Sequence, residues 1–299
     1  MPELPDIEDY LHALRVRVQH EPLKRLRLTS FSLLRTVDPP VSAVEGRVVT
    51  GLRRLGKRIV FELGDAPDGP LFVVLHLMIA GRLHWREAGA PVPRRYGLAA
   101  FDFESGTLVL TEAGTKKRAS LHLERGEEAL AAHDRGGIDP LTADLAAFTA
   151  AVTAENRTLK RALTDQRHLS GIGNAFSDEI LHAAGLSPVK RSKQLDAEEV
   201  ERLHRATQQV LADWVHRLRE ATGDGFPDQV TAFRDEFAAH GRYGEPCPVC
   251  GTTIQRIRYA SNETNYCPRC QTGGRVLADR SLSRLLRDDW PTTIEELEE

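Results

Sequence analysis

All four cysteines of this 299-residue chain fall in one short stretch, as Cys247-Pro-Val-Cys250 and Cys267-Pro-Arg-Cys270. Two C-x-x-C knuckles separated by sixteen residues suit a tetrahedral thiolate cage for one zinc ion, since each knuckle offers two sulfurs at a workable spacing. The segment between them can double back as a hairpin, with arms at 253–259 and 264–266 and Ser261-Asn262-Glu263 near the tip. The alternatives are two disulfides or a redox C-x-x-C. Disulfides need an oxidising compartment, and the acidic start Met1-Pro2-Glu3-Leu4-Pro5-Asp6 has no apolar export segment. A redox pair needs no matched second pair. The expected cofactor is therefore one structural Zn2+ held by Cys247, Cys250, Cys267 and Cys270. Such a site explains a small folded module and leaves the activity to the rest of the chain.

With 41% hydrophobic and 28% charged residues, the chain reads as globular. No apolar run approaches the length of a membrane span, so no membrane partner is expected and the cytoplasm is the default location. The net charge of −3 hides an asymmetry. Between 241 and 287 there are eight arginines against three acidic residues, whereas the last twelve residues hold six acids and no base. A basic finger region is thus masked in the total by an acidic tail, which reads as a solvated helix end.

The N-terminal pattern is helical: Ile7, Leu11, Leu14 and Val18 share one face, and Asp6, Glu8 and Asp9 occupy the first turn, where carboxylates suit the helix dipole. Residues 25–125 read as β-structure, with strands expected at 48–55, 58–63, 71–77, 98–103 and 107–111 and a hairpin turning at Ser105-Gly106. Short strands at this spacing suggest a sandwich. After a linker at 133–140 the pattern turns helical. A helix over 142–154 is predicted with Thr142 as cap and Leu145, Phe148 and Val152 on its buried face. Further helices are expected over 158–165, over 174–184 with Gly185 as the stop, and from a capping box at Asp196-Ala-Glu-Glu199 onward. The predicted fold class is α+β: an N-terminal β-sandwich with an amphipathic helix (1–135), a helical domain (141–240), a four-cysteine finger (241–275) and a tail helix (276–299).

Three separated stretches carry a resemblance to one family. The first is Pro2-Glu3-Leu4-Pro5-Asp6-Ile7-Glu8. The next runs from Lys160 through Leu163, Asp165 and Gln166 to Gly171-Ile-Gly-Asn174 and Asp178-Glu179. The last is the C-x2-C-x16-C-x2-C finger. In this order they resemble the formamidopyrimidine-DNA glycosylase / endonuclease VIII family of base-excision repair enzymes. The stretch from Lys160 to Glu179 resembles that family's helix–two-turns–helix.

The resemblance implies a chemistry that these residue types can perform. Once Met1 is removed, Pro2 is a secondary amine, and in a positive site a useful fraction of it is unprotonated. It would attack the sugar C1′, displace the damaged base and form an iminium that permits strand cleavage by β-elimination, with δ-elimination possible. Glu3 would be the general acid/base at the sugar ring oxygen. Lys57, in Arg54-Leu-Gly-Lys57-Arg58, matches the family's catalytic-site lysine and would hold a phosphate. Asn174, where a Gly-rich turn opens a helix, would contact the DNA backbone near an extruded nucleotide, with Lys160 a weaker phosphate candidate.

The chain departs from the family pattern on the lesion side. Asn262 stands where the finger arginine is expected, leaving Arg256 and Arg258 on the other arm as candidates to substitute. His76-Leu77-Met78-Ile79 puts Ile79 where a void-filling methionine usually follows His-Leu-Gly, with Met78 one residue earlier. Thr115-Lys116-Lys117-Arg118-Ala119 takes the place of a loop that normally brings an aromatic wedge, so only Lys116 and Lys117 remain as DNA contacts there. The chain thus reads as a monomeric bifunctional DNA glycosylase and abasic-site lyase acting on damaged DNA, with a preferred lesion other than 8-oxoguanine. The alternative is a non-catalytic damage-binding protein on the same fold.

Overall fold

The stripe Ile7, Leu11, Leu14 and Val18 is fully buried on helix α1 (Leu4–Val18), as its spacing predicts. The computed structural model describes residues 1–64, 69–259, 262–279 and 291–298. It divides into two compact units: 1–135 with 214–231, and 136–213 with 232–299.

The first unit is built on two antiparallel sheets. One orders β1 (Pro22–Leu23), β3 (Arg47–Leu55), β4 (Arg58–Leu63), β5 (Leu71–His76) and β9 (Ser120–Arg125) as β1-β3-β4-β5-β9. The other orders β2 (Arg25–Leu28), β7 (Gly97–Asp102), β8 (Thr107–Glu112) and β6 (Gly81–Arg86) as β2-β7-β8-β6. Alternate residues of both sheets, such as Phe61, Val73, Leu83, Phe101 and Leu121, join the α1 stripe in one apolar core. The sandwich is as expected, and the β7–β8 hairpin turns over 103–106, closed by the Phe103 N–H on the Gly106 carbonyl, so its tip is Glu104-Ser105, one residue before the expected Ser105-Gly106. Strands β1, β2, β6 and β9 are additional to those predicted. Residues 65–68, within the break expected between β4 and β5, lie outside the described residues.

The segment 214–231 belongs to this unit because polar groups tie it to α1. Glu8 accepts from Arg54 at 2.9 Å and lies 3.5 Å from Arg219. The Thr222 hydroxyl donates to Asp9 at 2.8 Å, and Arg17 donates to the carbonyls of Asp224 and Gly225. A short helix α2 (Gly126–Ala131) also belongs to this unit.

The second unit contains α3 (Leu145–Thr153), α4 (Leu159–Thr164), α5 (Asn174–Ala184) and most of α6 (Ala197–Thr222). The Asp196/Glu199 capping box forms reciprocally, at 2.8 and 3.1 Å. The cap of α3 is Asp144, not Thr142: its carboxylate accepts from the Ala147 N–H at 2.7 Å. The helix therefore starts later than predicted. Leu145 then lies in the open first turn, 41% exposed, while Phe148 and Val152 are buried.

The finger hairpin pairs β10 (Gln255–Tyr259) with β11 (Asn262–Tyr266), so Asn262 and Glu263 are strand residues opposite Tyr259 and Arg258 rather than tip residues. The short helix α7 (Pro268–Thr272) follows and carries Cys270. Ser261 lies outside the described residues, as do Arg280, Arg284 and Arg287. Of the expected tail helix, the described residues contain only α8 (Glu295–Glu298).

The turn between β5 and β6 is closed by the Gly81 N–H on the Leu77 carbonyl at 2.9 Å. A Cβ at Gly81 would sit 2.3 Å from that same backbone oxygen. Gly81→Ala is therefore expected to destabilise the protein by about 1–3 kcal/mol through forced overpacking, read as a lower denaturation midpoint.

Candidate active site and nucleic-acid interface

The start of α1 is pinned by its own sequence. The Glu3 backbone N–H donates to the Asp6 carboxylate at 2.7 Å, half of a capping box. This fixes residues 1–3 against the unit, with Pro2 and Glu3 buried.

Lys57 reaches the same place from the β3–β4 hairpin. Leu55 pairs with Arg58, leaving a two-residue turn in which Gly56 takes φ +63, the glycine-first pattern of a type II′ turn. A lysine on such a turn would ordinarily be solvated, yet Lys57 is only 7% exposed. Burial pushes its ammonium pKa down, opposed by the charges of Glu3 and Asp6. Burial also pushes the Met1 amine below its ordinary value; Glu3 and Asp6 oppose this, while Arg82 and Lys57 reinforce it. An amine, two carboxylates, a lysine and an arginine thus share one largely desolvated site. Such a desolvated cluster can lower an amine's pKa and set it beside a buried carboxyl group, which suits nucleophilic attack coupled to proton transfer. Arg82 is held by the carbonyls of Ile79, Gly81 and Val230. It is not among the residues expected from sequence, because it lies on β6, a strand that the pattern does not reveal.

Met78 and Ile79 form the tip of the β5–β6 turn. Ile79 is 54% exposed, and Met78 is half-buried with φ +54, in the left-handed region that disfavours side chains. The glycine of the family's His-Leu-Gly pattern would occupy that conformation without strain. Lys116 and Lys117 are exposed. Their loop is closed by the buried Glu112 carboxylate, which accepts from the Arg118 and Ala119 N–H groups, and Lys117 bonds the Glu112 carbonyl.

In the second unit, Asn174 opens α5 and its side-chain amide donates to the Glu263 carbonyl on β11 at 3.0 Å. Lys160, the weaker phosphate candidate from sequence, is engaged inside this unit. Its ammonium bonds the Asn174 carbonyl and the buried Asp178 carboxylate, both at 2.6 Å, and Asp178 also bonds His240 Nδ1 at 2.7 Å. The cause is this fully buried carboxylate, which requires a cation close by. Arg256 is also engaged: its guanidinium lies 4.0 Å from the Tyr243 ring centroid and 3.5 Å from Glu263. Arg258 is exposed.

The four cysteines are free thiols whose sulfurs all lie within 4.8 Å of one another, with Cys250–Cys267 at 3.4 Å and Cys247–Cys270 at 3.9 Å. Tetrahedral zinc with about 2.3 Å bonds requires sulfurs roughly 3.8 Å apart, so the set fits a Zn2+ ion. When bound, the ion would supply structural cross-linking of the two knuckles.

Known proteins resemble the chain over nearly all of it. Residues 1–125 match the formamidopyrimidine-DNA glycosylase N-terminal domain, 137–223 the formamidopyrimidine-DNA glycosylase H2TH domain, and 244–273 the zinc finger found in FPG and IleRS. A formamidopyrimidine-DNA glycosylase of Symbiobacterium thermophilum is 33% identical over 91% of this chain and 89% of its own length. An uncharacterized formamidopyrimidine-DNA glycosylase-like protein of Mycobacterium tuberculosis is 43% identical over half of this chain and 91% of its own. Among solved structures, MutM in complex with DNA containing carbocyclic 8-oxo-G has a TM-score of 0.78 at 24% identity, covering 91% of this chain and all of that one. The Lactococcus lactis Fpg complex with abasic-site DNA scores 0.77 at 23% identity, covering 90% and 99%. These structural likenesses carry the fold.

The left-handed Met78 generates a stability test. Met78→Gly is expected to leave stability within about 1 kcal/mol, because relief of strain offsets the lost side chain and the freer unfolded state. Met78→Val, β-branched at the same φ, is expected to lose about 1–3 kcal/mol in denaturant melts.

Proposed function

Because the chain belongs to the formamidopyrimidine-DNA glycosylase / endonuclease VIII family of DNA repair enzymes, we propose that it is a bifunctional DNA glycosylase and abasic-site lyase working through the amine of Pro2. The observation that carries this reading is the burial of Lys57 and Glu3 at the start of α1, where removal of Met1 would free the Pro2 nitrogen.

Removal of Met1 turns the Pro2 nitrogen from an amide into a secondary amine. Its lone pair attacks C1′ of the damaged nucleotide, the base leaves with the electrons of the glycosidic bond, and the base takes up the proton that the now cationic nitrogen sheds, which restores the nitrogen lone pair. The C1′–O4′ bond then opens as Glu3 delivers a proton to O4′, and the nitrogen lone pair forms the C1′ iminium. Loss of a C2′ proton expels the 3′ phosphate, and water finally hydrolyses the iminium. Lys57 balances the carboxylates and binds a flanking phosphate. Asn174, Lys116, Lys117 and Arg258 contact the backbone, while Met78 and Ile79 fill the space left by the extruded base. Lys160 and Arg256 act instead as internal braces.

The lesion we propose is one other than 8-oxoguanine. Ile79 is a shorter wedge than methionine, Asn262 brings no cation to the finger, and Arg256 is already paired with Glu263. An abasic site or an oxidised pyrimidine demands less from these contacts.

Borohydride reduction of the Met1-free protein on a labelled abasic-site oligonucleotide is expected to trap a covalent adduct. A form with an N-terminal extension, in which the Pro2 nitrogen is an amide, is expected to give none. Tight binding without any adduct would replace this reading with a damage-binding protein. Glu3→Gln is expected to lower base excision by about 10²–10⁴-fold, the usual size of a general acid's contribution. In side-by-side kinetics, kcat/KM for 8-oxoguanine opposite cytosine is expected to fall below that for abasic-site cleavage; the reverse order would refute the lesion assignment.

A further inference from the structure

Helix α5 presents Asn174, Asp178 and His182 at four-residue spacing, hence on one face. Each meets the chain between 240 and 263. Asn174 bonds the Glu263 carbonyl, Asp178 bonds His240, and His182 Nε2 lies 3.2 Å from Cys247 Sγ. His182 and Cys247 are both buried.

Four thiolates around one Zn2+ carry a net charge of −2, and sulfur anions in a dry site need donors. One cysteine obtains a donor within its own knuckle: Cys267 Sγ accepts from the Cys270 N–H at 3.4 Å. Such a donor accompanies the C-x-x-C turn itself. Cys247 is served from another element, 65 positions away in sequence. A thiolate can only accept, so the ring nitrogen facing it carries the proton.

We infer that His182 is a positioning residue of the zinc centre: its Nε2–H donates to the Cys247 thiolate, lowering that sulfur's reactivity and fixing the finger to α5. The remaining contacts suit this role. Just beyond the C-terminal end of α5, the Leu186 carbonyl accepts from Gln271, whose own side-chain oxygen accepts from the Cys267 N–H at 2.8 Å. Both knuckles are therefore moored to the same helix, one through a ligand sulfur and one through a ligand backbone. Metal retention alone is at issue, so this role is independent of the DNA chemistry.

The test uses the full-length zinc-loaded protein and three variants, with circular dichroism to establish folding. His182→Ala removes the donor, His182→Phe fills the space without one, and His182→Gln restores an amide N–H. We expect chelator-driven zinc release to accelerate about 10–100-fold in the Ala and Phe variants and to return toward wild type in Gln, the range typical for outer-sphere partners of metal ligands. Peptide mapping after brief alkylation is expected to show Cys247 modified first in Ala and Phe but protected in wild type. A Phe variant that keeps zinc and protects Cys247 as wild type does would reduce His182 to packing and overturn the inference. Should the variants fail to fold, the 113Cd-substituted wild type still decides. A slowly exchanging His182 Hε2 proton coupled to the cadmium supports the bond, and its absence refutes it.

Discussion

The contact on which the N-terminal site depends is the Asp6 carboxylate on the Glu3 backbone N–H. Chain ends are ordinarily the least ordered part of a domain. Here the first helical turn is capped from within, and the next turns present an unbroken buried stripe. Helix position therefore dictates where the chain's amine stands. The charges gathered there make sense only together. A buried ammonium such as Lys57 would cost several kcal/mol in isolation, and two buried carboxylates side by side would be similarly unfavourable. Glu3 and Asp6 offset Lys57 and Arg82, and desolvation by burial leaves the Met1 amine's pKa lowered.

The second unit solves an analogous problem with one helix. Asp178 is fully buried and is compensated by Lys160 and His240, while Glu179 accepts the N–H groups of Ala238, Ala239 and His240. The chain leading into the finger is thereby fixed by two adjacent carboxylates of α5. This is why Lys160, which looks in sequence like a free cation beside a Gly-rich turn, is spent inside the fold. A carboxylate eighteen residues away supplies its partner, and no local pattern could reveal that.

Short-range rules govern what is legible in the sequence. The α1 stripe, the Asn174–Ala184 helix with its Gly185 stop, the Asp196/Glu199 box and the cysteine cage all rest on fixed spacings, and each is present in the structure. Pattern misleads where two local solutions compete. Thr142 and Asp144 can both cap a helix, but the Thr142 and Ala143 N–H groups turn back onto the Asp139 carbonyl, and Asp144 takes the cap. Strand β9 is hidden although Leu121 and Leu123 alternate cleanly, because the basic run before it resembles a loop. Lys57 is legible in its motif, but its burial is not, since a two-residue hairpin tip gives no sign of what lies over it.

The two kinds of site residue differ in how freely they can change. Glu3, Asp6, Lys57 and Arg82 compensate one another's charge in a desolvated place, so replacing one leaves an unpaired buried group. Ile79, Lys116 and Arg258 are exposed, and Met78 tolerates its strained φ without a partner charge. Substitution there alters what is recognised while leaving the fold's electrostatics intact. Under the proposed function, a chain that keeps the first set and alters the second retains the chemistry and shifts its target. Such a pattern would be hard to explain for a protein that only binds, since binding alone places no demand on a buried lysine beside the N-terminal amine.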